Sequence, residues 1–305
     1  MISERTVYVN GKMVPWEGAT VHMMSHSFSR GSAIFEVLSL HETDDGPAVF
    51  RIDEHIDRFF RSAALLHMEM SLSKEDLHRA ILETVKINGL RKGMIKAMAY
   101  YSQIAFEIIP PQTSLDLAIF AVDPVQDLEG MSFALDQGTT VGVSRWRKLD
   151  PQTVPVEAKA AANYLNGMMA RIDVRKRGFQ DVIMLDSQGF IAEGGTESMF
   201  FVKDGRLMTP ALGTVLQSIT RKSVLRVAAD MGIAAEERRF SASFLQEADE
   251  IFLSGTPFKV LPVRQVEGRK MAPVPGPVTG RLMERMKDIV SGKIAAYGPW
   301  LCPVP

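Results

Sequence analysis

A lysine set among alanines is the first residue that could do chemistry. Lys159 stands in the segment "VEAKAAANYLNG", where the alanines beside it offer no opposite charge and little bulk. Apolar surroundings disfavour the charged form of an amine, which makes such a lysine a usable nucleophile toward a carbonyl group. A solvated lysine at the start of a helix is the alternative interpretation, and for this segment alone it is the commoner one.

A carboxylate next to two glycines follows later in the chain. Glu193, in "FIAEGGTESMFFV", comes where a predicted strand meets Gly194 and Gly195, which let the backbone approach a flat ligand closely. For pyridoxal phosphate, such a carboxylate would hold the ring nitrogen protonated, so that the ring acts as an electron sink. An ordinary turn beside a surface glutamate is the alternative.

Two further segments could bind an anion. In "LQSITRKSV" a helix is predicted to begin at Ser218, and N–H groups, hydroxyls and the positive end of the helix dipole converge at such a start. In "FLSGTPF", Thr256 follows a strand and a glycine in the same manner. Ser218 is equally explained as a helix N-cap, so each segment alone is a weak indication.

Hydrophobic periodicity predicts the elements that must position these residues. Asn10-Gly11 suits the tight turn of a hairpin between two strands of alternating apolar residues. Further strands are predicted near 94–104, 115–122 and 140–147. Helical spacing predicts helices from about Asp53, after Ser73, over 218–231, and along an apolar stripe of Leu165, Met168, Met169 and Ile172.

The order of these elements predicts two α+β domains. Strands and helices mix without the strict alternation of a doubly wound sheet. Turn formers and acidic residues in "DPVQDLEGMSFALDQG" indicate an interdomain connection over 125–138. We therefore expect a small N-terminal domain over 1–124 and a large C-terminal domain over 139–305 that carries Lys159.

Composition limits the classes of function. The 305 residues are 46% hydrophobic and 23% charged with a net charge of −1, which predicts a soluble globular protein without the basic face that nucleic acids require. No secretory signal and no apolar run of bilayer length is visible, so a cytoplasmic protein without membrane contact is expected. Cys302 is the only cysteine, and no spacing indicates a metal site.

In this order the motifs resemble the class IV aminotransferases, the fold type IV family of pyridoxal phosphate enzymes. Branched-chain amino acid aminotransferases look closest. The resemblance runs from "VYVNGKMVPWEGATV" through "RIDEHIDRFFRSA" and the specific pair "AKAAANYL" and "EGGTESMF" to "GPVTGRL". It implies a two-domain α+β fold like that of branched-chain and D-amino acid aminotransferases, pyridoxal 5'-phosphate as cofactor, and a homodimer or larger assembly.

The resemblance also implies roles for single residues. Lys159 attaches the cofactor covalently and then moves a proton at the substrate Cα. Glu193 pairs with the pyridine nitrogen, and Tyr164 hydrogen-bonds the phenolic oxygen. The cofactor's phosphate and ring face are assigned to Arg58, the backbone N–H of Ile219, Thr220, Thr256 and, against the ring, Leu216. For Arg58, a surface charge beside Asp57 on a helix is the alternative.

The substrate side departs from the family pattern. Tyr100 is kept, but Ser102 stands where branched-chain enzymes carry an arginine for the substrate carboxylate, and a hydroxyl cannot replace a bidentate guanidinium. Pro257 follows Thr256 and has no N–H to offer that carboxylate. Arg30 replaces an aromatic residue, and Val37 replaces a glycine, in a Phe35-Glu36-Val37 pattern that looks more like D-amino acid aminotransferases.

Arg30 is therefore a hypothetical source of the missing charge, with a surface arginine as the alternative. The leading function is transfer of an amino group between an amino acid, by resemblance a branched-chain L-amino acid, and a 2-oxo acid such as 2-oxoglutarate or pyruvate. Primary amines of (R) configuration and D-amino acids are the alternative donors. A lyase of the aminodeoxychorismate type fits the motifs less closely, and a cofactor-free relative would have lost the lysine and glutamate.

Overall fold

The chain forms two compact units. The computed structural model describes residues 2–128 and 137–305. The first unit contains Met1–Ser132, Ala158–Ala162 and Ile289–Pro305, and the second contains Phe133–Glu157 and Asn163–Asp288. The predicted C-terminal domain over 139–305 included Ala158–Ala162 and Ile289–Pro305, whereas the contacts within the chain assign both segments, Lys159 among them, to the first unit. Part of the predicted connection over 125–138 lies outside the described residues.

The first unit is built on an antiparallel sheet. Its order is β16-β4-β3-β5-β6-β1-β2, so the last strand of the chain lies at one edge and the first hairpin at the other. The hairpin turns at Asn10 and Gly11, both with positive φ, as predicted. The strands are β1 (Thr6–Val9), β2 (Lys12–Pro15), β3 (Ala33–Thr43), β4 (Gly46–Phe50), β5 (Gly93–Tyr100), β6 (Asp116–Val122) and β16 (Leu301–Pro303).

Two amphipathic helices cover one face of this sheet. Ile56 and Phe59 of one helix and Leu77 and Ile81 of the other are buried against Leu38 and its neighbours on the sheet. Ser73 caps the second helix in a capping box with Asp76. The opposite face of β3 and β5 is only partly covered. The helices of this unit are α1 (His26–Arg30), α2 (Ile52–Leu65), α3 (Lys74–Ile87) and α4 (Pro124–Asp127).

The second unit is built on a mixed sheet with the order β12-β11-β10-β13-β14-β7-β8-β9, and β15 pairs with β14. Phe200 stacks on Phe252, and Phe201 packs against Phe240 and Phe244 in its core. The strands are β7 (Thr139–Val143), β8 (Asp181–Leu185), β9 (Ile191–Glu193), β10 (Ser198–Lys203), β11 (Arg206–Pro210), β12 (Ala235–Arg238), β13 (Glu250–Ser254), β14 (Leu261–Val266) and β15 (Arg269–Lys270).

Three longer helices complete the described chain: α5 (Tyr164–Arg175), α6 (Ile219–Asp230) and α7 (Pro277–Val290). Short 3-10 helices span Ile2–Glu4, Trp16–Gly18, Ala161–Asn163, Ala242–Gln246 and Ala295–Trp300. Mixed strands and helices in both units confirm the predicted α+β class. Two strand predictions were too long, because β5 ends at Tyr100 and β7 ends at Val143.

The apolar stripe of α5 faces outward, contrary to its sequence pattern. Leu165 and Met168 are 59% and 51% exposed, and the buried residues of the helix are Gly167, Ala170 and Val174. The cause is a close approach, because a Cβ added at Gly167 would lie 2.3 Å from the carbonyl oxygen of Gly195. The face of small residues is therefore the buried one.

Candidate active site

The backbone of Lys159 is fixed between β3 and α2 in the first unit. Its carbonyl accepts a hydrogen bond from the N–H of Phe35 at 3.1 Å, and its own N–H donates to the Ser62 hydroxyl at 3.0 Å. The next residue, Ala160, forms a bridge with Ile34. Hydrogen bonds on both sides of the residue restrict where its side chain can reach.

The Lys159 ammonium lies over an aromatic ring of the partly covered sheet face. Its Nζ is 4.7 Å from the ring centroid of Phe35. Val37 is two residues further along β3, and successive side chains at this spacing share a face. The nucleophile predicted from the sequence thus faces an apolar surface built by β3 and β5.

Arg58 is held by a buried carboxylate. Its Nε and Nη2 each donate to Glu36 of β3 at 2.7 Å, and His55 Nδ1 lies 2.7 Å from the second oxygen of Glu36. Burial raises the pKa of Glu36, but the Arg58 guanidinium and His55 outweigh it and hold that pKa well below its usual range. The guanidinium is therefore fixed by an ionised partner.

Ser62 connects Arg58 to Lys159. This buried residue of α2 donates its hydroxyl to the Arg58 carbonyl at 2.9 Å and accepts the Lys159 N–H. One turn of helix thus positions both the candidate phosphate-binding arginine and the candidate nucleophile. Ser62, Glu36 and His55 were not identified from the sequence; His55 and Arg58 at i and i+3 in "EHIDR" were the available signal.

Glu193 ends β9 in the second unit and forms an ion pair with Lys148. Both side chains are largely buried. The Asn166 side chain accepts from the N–H of Leu149 and donates to the carbonyl of Arg147, so it fixes the backbone on both sides of Lys148. The sequence drew no attention to Lys148. One Glu193 oxygen is thus occupied by a positioned ammonium.

The loop after Glu193 is held by an arginine shared between two carboxylates. Nη2 of Arg171 lies 2.6 Å from Asp181 and 2.8 Å from Glu197. The Gly194 N–H donates to the Glu197 carbonyl at 2.7 Å and closes the loop. Burial and the negative charge of Glu197 raise the pKa of Asp181 to about 7, although Arg171 opposes this. The network fixes the turn that follows Glu193.

Backbone N–H groups are available at the start of α6. The Ser218 hydroxyl accepts from the N–H of Arg221 at 3.1 Å, as its predicted capping role requires. Within the part of the chain that the structure describes, the N–H groups of Ile219 and Thr220 have no hydrogen-bond partner. Both residues are buried, and a helix start with unpaired N–H groups favours an anion.

Thr256 lies in a loop next to that of Glu193. Ser254, at the end of β13, pairs with Ser198 at the start of β10, and a Cβ at Gly255 would lie 3.6 Å from Glu197. In the same loop the Lys259 ammonium donates to the Thr256 carbonyl at 2.8 Å, and burial lowers the pKa of Lys259 to about 7. The two glycine-containing loops thus occupy one edge of the sheet.

The remaining predicted residues fall at element ends. Tyr164 is the first residue of α5, Leu216 precedes α6, and Pro257 follows Thr256. Of the residues given to the substrate, Tyr100 ends β5 and Ser102 follows it. Burial and the neighbouring charge of Asp116 raise the pKa of the Tyr100 phenol.

Arg30 holds a loop in the first unit. Its Nε donates to the carbonyl of Glu107 at 2.9 Å and its Nη2 to that of Phe106 at 2.5 Å. A ring nitrogen of His26 lies 3.1 Å from the carbonyl of Ile108. These contacts place Arg30 in support of the backbone over 106–108, which was not the role suggested by its sequence position.

The described residues contain no cluster of acidic, histidine or cysteine side chains that could hold a metal ion. In the same residues, no helix has both the length and the apolar character needed to cross a bilayer.

The mixed sheets and helices of both units define a class of protein, the α+β enzymes of fold type IV. The chain belongs to the amino-transferase class IV family, whose pattern matches residues 33–266. It is a pyridoxal-phosphate-dependent aminotransferase, as the sequence motifs predicted.

Particular relatives share nearly its full length. The branched-chain-amino-acid aminotransferase of Salmonella typhimurium is 35% identical over 300 residues, which cover 98% of this chain and 97% of that protein. The Escherichia coli enzyme of the same name is 35% identical over 297 residues, which cover 97% and 96%. The branched-chain amino acid aminotransferase of Thermobaculum terrenum, solved in its PLP-form, is 28% identical with a TM-score of 0.92 over 100% of both chains.

Proposed function

We propose that this aminotransferase moves the amino group of a branched-chain L-amino acid to a 2-oxo acid such as 2-oxoglutarate or pyruvate. The observation that carries the proposal is the similarity, over nearly all of both chains, to enzymes named branched-chain-amino-acid aminotransferases. The apolar face around Phe35 and Val37, next to the Lys159 ammonium, suits an aliphatic side chain.

Lys159 is the proposed catalytic residue. The bound cofactor supplies an electron sink for the carbanion at the substrate Cα. The Lys159 amine would hold the cofactor covalently at rest, and once released it would take the proton from that Cα and deliver it to the C4′ carbon of the cofactor. The hydrogen bonds from Phe35 and to Ser62 support this role, because they keep the lysine backbone in place while its side chain moves.

The other candidate residues have proposed roles toward the cofactor. Glu193 would accept a hydrogen bond from the protonated ring nitrogen with the oxygen that Lys148 leaves available. Tyr164 would donate to the phenolic oxygen, and Leu216 would pack on the ring. Thr220, Thr256 and the Ile219 N–H would hold the phosphate, and Arg58, already oriented by Glu36, would add a positive charge.

D-Amino acids and (R)-amines are the second candidate donors. Ser102 stands where the resemblance implies an arginine, and Pro257 has no backbone N–H. Two groups that could hold the α-carboxylate of the donor are therefore missing. An amine donor needs neither group. The lyase alternative has no comparable observation in its favour.

Single half-reactions test the donor. The purified protein, saturated with pyridoxal phosphate, is mixed with L-leucine, D-alanine or (R)-1-phenylethylamine, and the visible absorbance is followed. We expect L-leucine to convert the spectrum fastest. Conversion by the amine or by D-alanine at a rate at least ten times higher would overturn the branched-chain assignment.

Lys159→Ala tests the catalytic residue, with Lys92→Ala as a matched control at an exposed lysine. We expect the Lys159→Ala protein to show no covalent cofactor band and a loss of rate of at least about 1,000-fold. The control should keep both. A Lys159→Ala protein with wild-type colour and rate would sink the assignment.

We also propose that the enzyme is a cytoplasmic homodimer or larger homo-oligomer. Large apolar side chains are exposed in each unit, among them Phe106, Ile108 and Ile109 in the first and Leu165 and Met168 in the second. Multi-angle light scattering on the purified protein checks this directly. A mass near 34 kDa at micromolar concentration would contradict it.

A further inference from the structure

Lys259 is a buried lysine of the second unit, outside the set of residues proposed to contact the cofactor. It is 6% exposed, although lysines are rarely buried to this degree. It ends the turn that begins at Gly255 and contains Thr256, and its backbone has a φ of 60°. A buried charge and a left-handed backbone both cost free energy, and their combination at one residue points to a role in the neighbouring site.

Two donors of Lys259 bind the carbonyls on either side of the Thr256 Cα. Its N–H donates to the carbonyl of Gly255 at 2.9 Å, and its ammonium donates to the carbonyl of Thr256 at 2.8 Å. The Gly255 carbonyl and the Thr256 N–H belong to one trans peptide unit, so they point in opposite directions. The Thr256 N–H therefore points away from the interior of the turn, whereas both carbonyl oxygens point toward Lys259.

The same segment has polar groups that lack a partner. Within residues 2–128 and 137–305, the Thr256 N–H has no hydrogen-bond partner, and neither has the fully buried hydroxyl of Ser254. Leaving a buried polar group unpaired costs free energy, so such a group indicates a missing partner. A turn whose carbonyls are occupied and whose N–H is available is suited to an anion.

The Lys259 ammonium adds a positive charge behind this turn. The N–H and hydroxyl of Thr256 lie within about 4 Å of its own carbonyl oxygen, so a phosphate bound to them would be about 6–9 Å from the ammonium. At that distance in protein surroundings, a pair of opposite charges raises affinity at least about tenfold. Burial lowers the pKa of Lys259 to about 7, and a bound dianion would favour the charged form again.

We propose that Lys259 is a positioning residue for the phosphate of the cofactor: its two donors turn the carbonyls of Gly255 and Thr256 away from the anion, and its charge attracts the anion. The inference rests on the proposed role of Thr256 toward that phosphate and deepens it. It also gives a reason for a buried ammonium at this place in the fold.

Binding of pyridoxal phosphate and of pyridoxal, which lacks the phosphate, tests the inference. The full-length protein is depleted of cofactor and titrated with each compound, and the visible absorbance reports the bound fraction. Lys259→Met approximates the shape of the side chain without its charge or its donor. We expect it to weaken binding of pyridoxal phosphate about 10- to 50-fold and that of pyridoxal less than about threefold, since only the first compound carries the anion.

Two further variants serve as controls. Lys259→Arg keeps a positive charge and donors, so its affinity for pyridoxal phosphate should stay within about fivefold of the wild type. Lys270→Met removes an exposed lysine of the same unit and should match the wild type. Melting temperatures of the cofactor-depleted proteins identify folding defects, and Lys259→Met should melt no lower than the wild type because it no longer buries a charge.

Two outcomes would overturn the inference. Equal losses for pyridoxal phosphate and pyridoxal would make Lys259 a general structural residue, because a role toward the phosphate weakens only the first. Unchanged binding of both compounds would show that neither the charge nor the carbonyl contact matters to the anion. If Lys259→Met does not fold, Lys259→Gln takes its place in both titrations.

Calorimetric titration with inorganic phosphate separates this inference from the proposed function. Phosphate has no ring and no amino group, so its binding requires no transamination. We expect Lys259→Met to weaken phosphate binding at least about fivefold. If the wild type transaminates no donor but binds phosphate through Lys259, the proposed function fails and the positioning role stands. If it transaminates L-leucine and phosphate binding is unchanged in Lys259→Met, the reverse holds.

Discussion

Both units bury carboxylates next to an arginine, but they balance the charges differently. In the first unit Glu36 has two partners, Arg58 and His55, and the pKa of the buried carboxyl is held well below its usual range. In the second unit Asp181 and Glu197 share the single guanidinium of Arg171, and the pKa of Asp181 is raised to about 7. Burial raises the pKa of Glu36 and of Asp181 alike, so the number of cations beside each carboxylate decides whether it stays ionised.

The second unit has another group that titrates in the same range. Burial lowers the pKa of Lys259 to about 7. Around neutral pH the second unit can therefore change charge at Asp181 and at Lys259, whereas Glu36 stays ionised. Stability should depend on pH through the second unit, and four substitutions test this contrast.

The largest effect is expected for Glu36→Gln. The amide cannot neutralise the buried Arg58 guanidinium, so we expect the free energy of unfolding to fall by about 3–5 kcal/mol. Urea denaturation at pH 7 measures it. A loss below about 1 kcal/mol would show that Arg58 does not depend on this ion pair.

Lys259→Met should act in the opposite direction. The folded-state pKa of Lys259 lies below its unfolded value, so between about pH 7 and 10.5 the unfolded chain binds more protons and stability rises with pH. We expect the methionine variant to be about 1–3 kcal/mol more stable at pH 7 and to lose that rise. Denaturation at pH 7, 8 and 9 provides the measurement. If the free energy of unfolding rises with pH equally in wild type and variant, the lowered pKa of Lys259 is contradicted.

Asp181→Asn should remove a loss of stability that the wild type shows as pH rises from about 4 to 7. The folded-state pKa of about 7 lies above the unfolded value of 3.8, so the folded protein binds more protons between these values and becomes less stable as pH rises through them. The wild type should lose up to about 1 kcal/mol per pH unit from this group between pH 5 and 7. Parallel pH dependences of wild type and variant would contradict the raised pKa of Asp181.

The smallest effect is expected for Glu42→Gln. Glu42 pairs with Arg91 at 2.6 Å, but both side chains are at least half exposed. Water screens such a pair, so we expect a change within about 0.5 kcal/mol in the same denaturation experiment. A larger loss would mean that burial does not explain why the Glu36–Arg58 ion pair stabilises the fold more than the exposed Glu42–Arg91 pair.

The resemblance named candidate cofactor-binding residues, but it did not name the residues that hold them in place. Lys159 and Glu193 stand in local patterns with a recognisable composition. Glu36 and Ser62 do not, because their roles come from contacts with distant parts of the chain: Glu36 pairs with His55 and Arg58, 19 and 22 residues away, and Ser62 binds the Lys159 N–H, 97 residues away. Such pairing has no local signal.

The helix α5 shows a second limit. Its large residues have helical spacing, which ordinarily marks the core-facing side. In the structure, the close approach of Gly167 to Gly195 buries the small residues and exposes the large ones. The periodic pattern therefore predicted the helix, whereas its buried face is set by a contact with Gly195 that the pattern does not contain.

The position of β16 has a consequence for synthesis. This strand, Leu301–Pro303, pairs with β4 near the beginning of the chain. A ribosome adds residues from the N-terminus, so the edge of β4 stays open until Leu301–Pro303 have left the exit tunnel, and at about 5–20 residues per second the intervening chain takes many seconds to make. An open strand edge is a site for pairing between chains. On crowded polysomes, the open edge of β4 is therefore a place where neighbouring nascent chains can pair until β16 covers it.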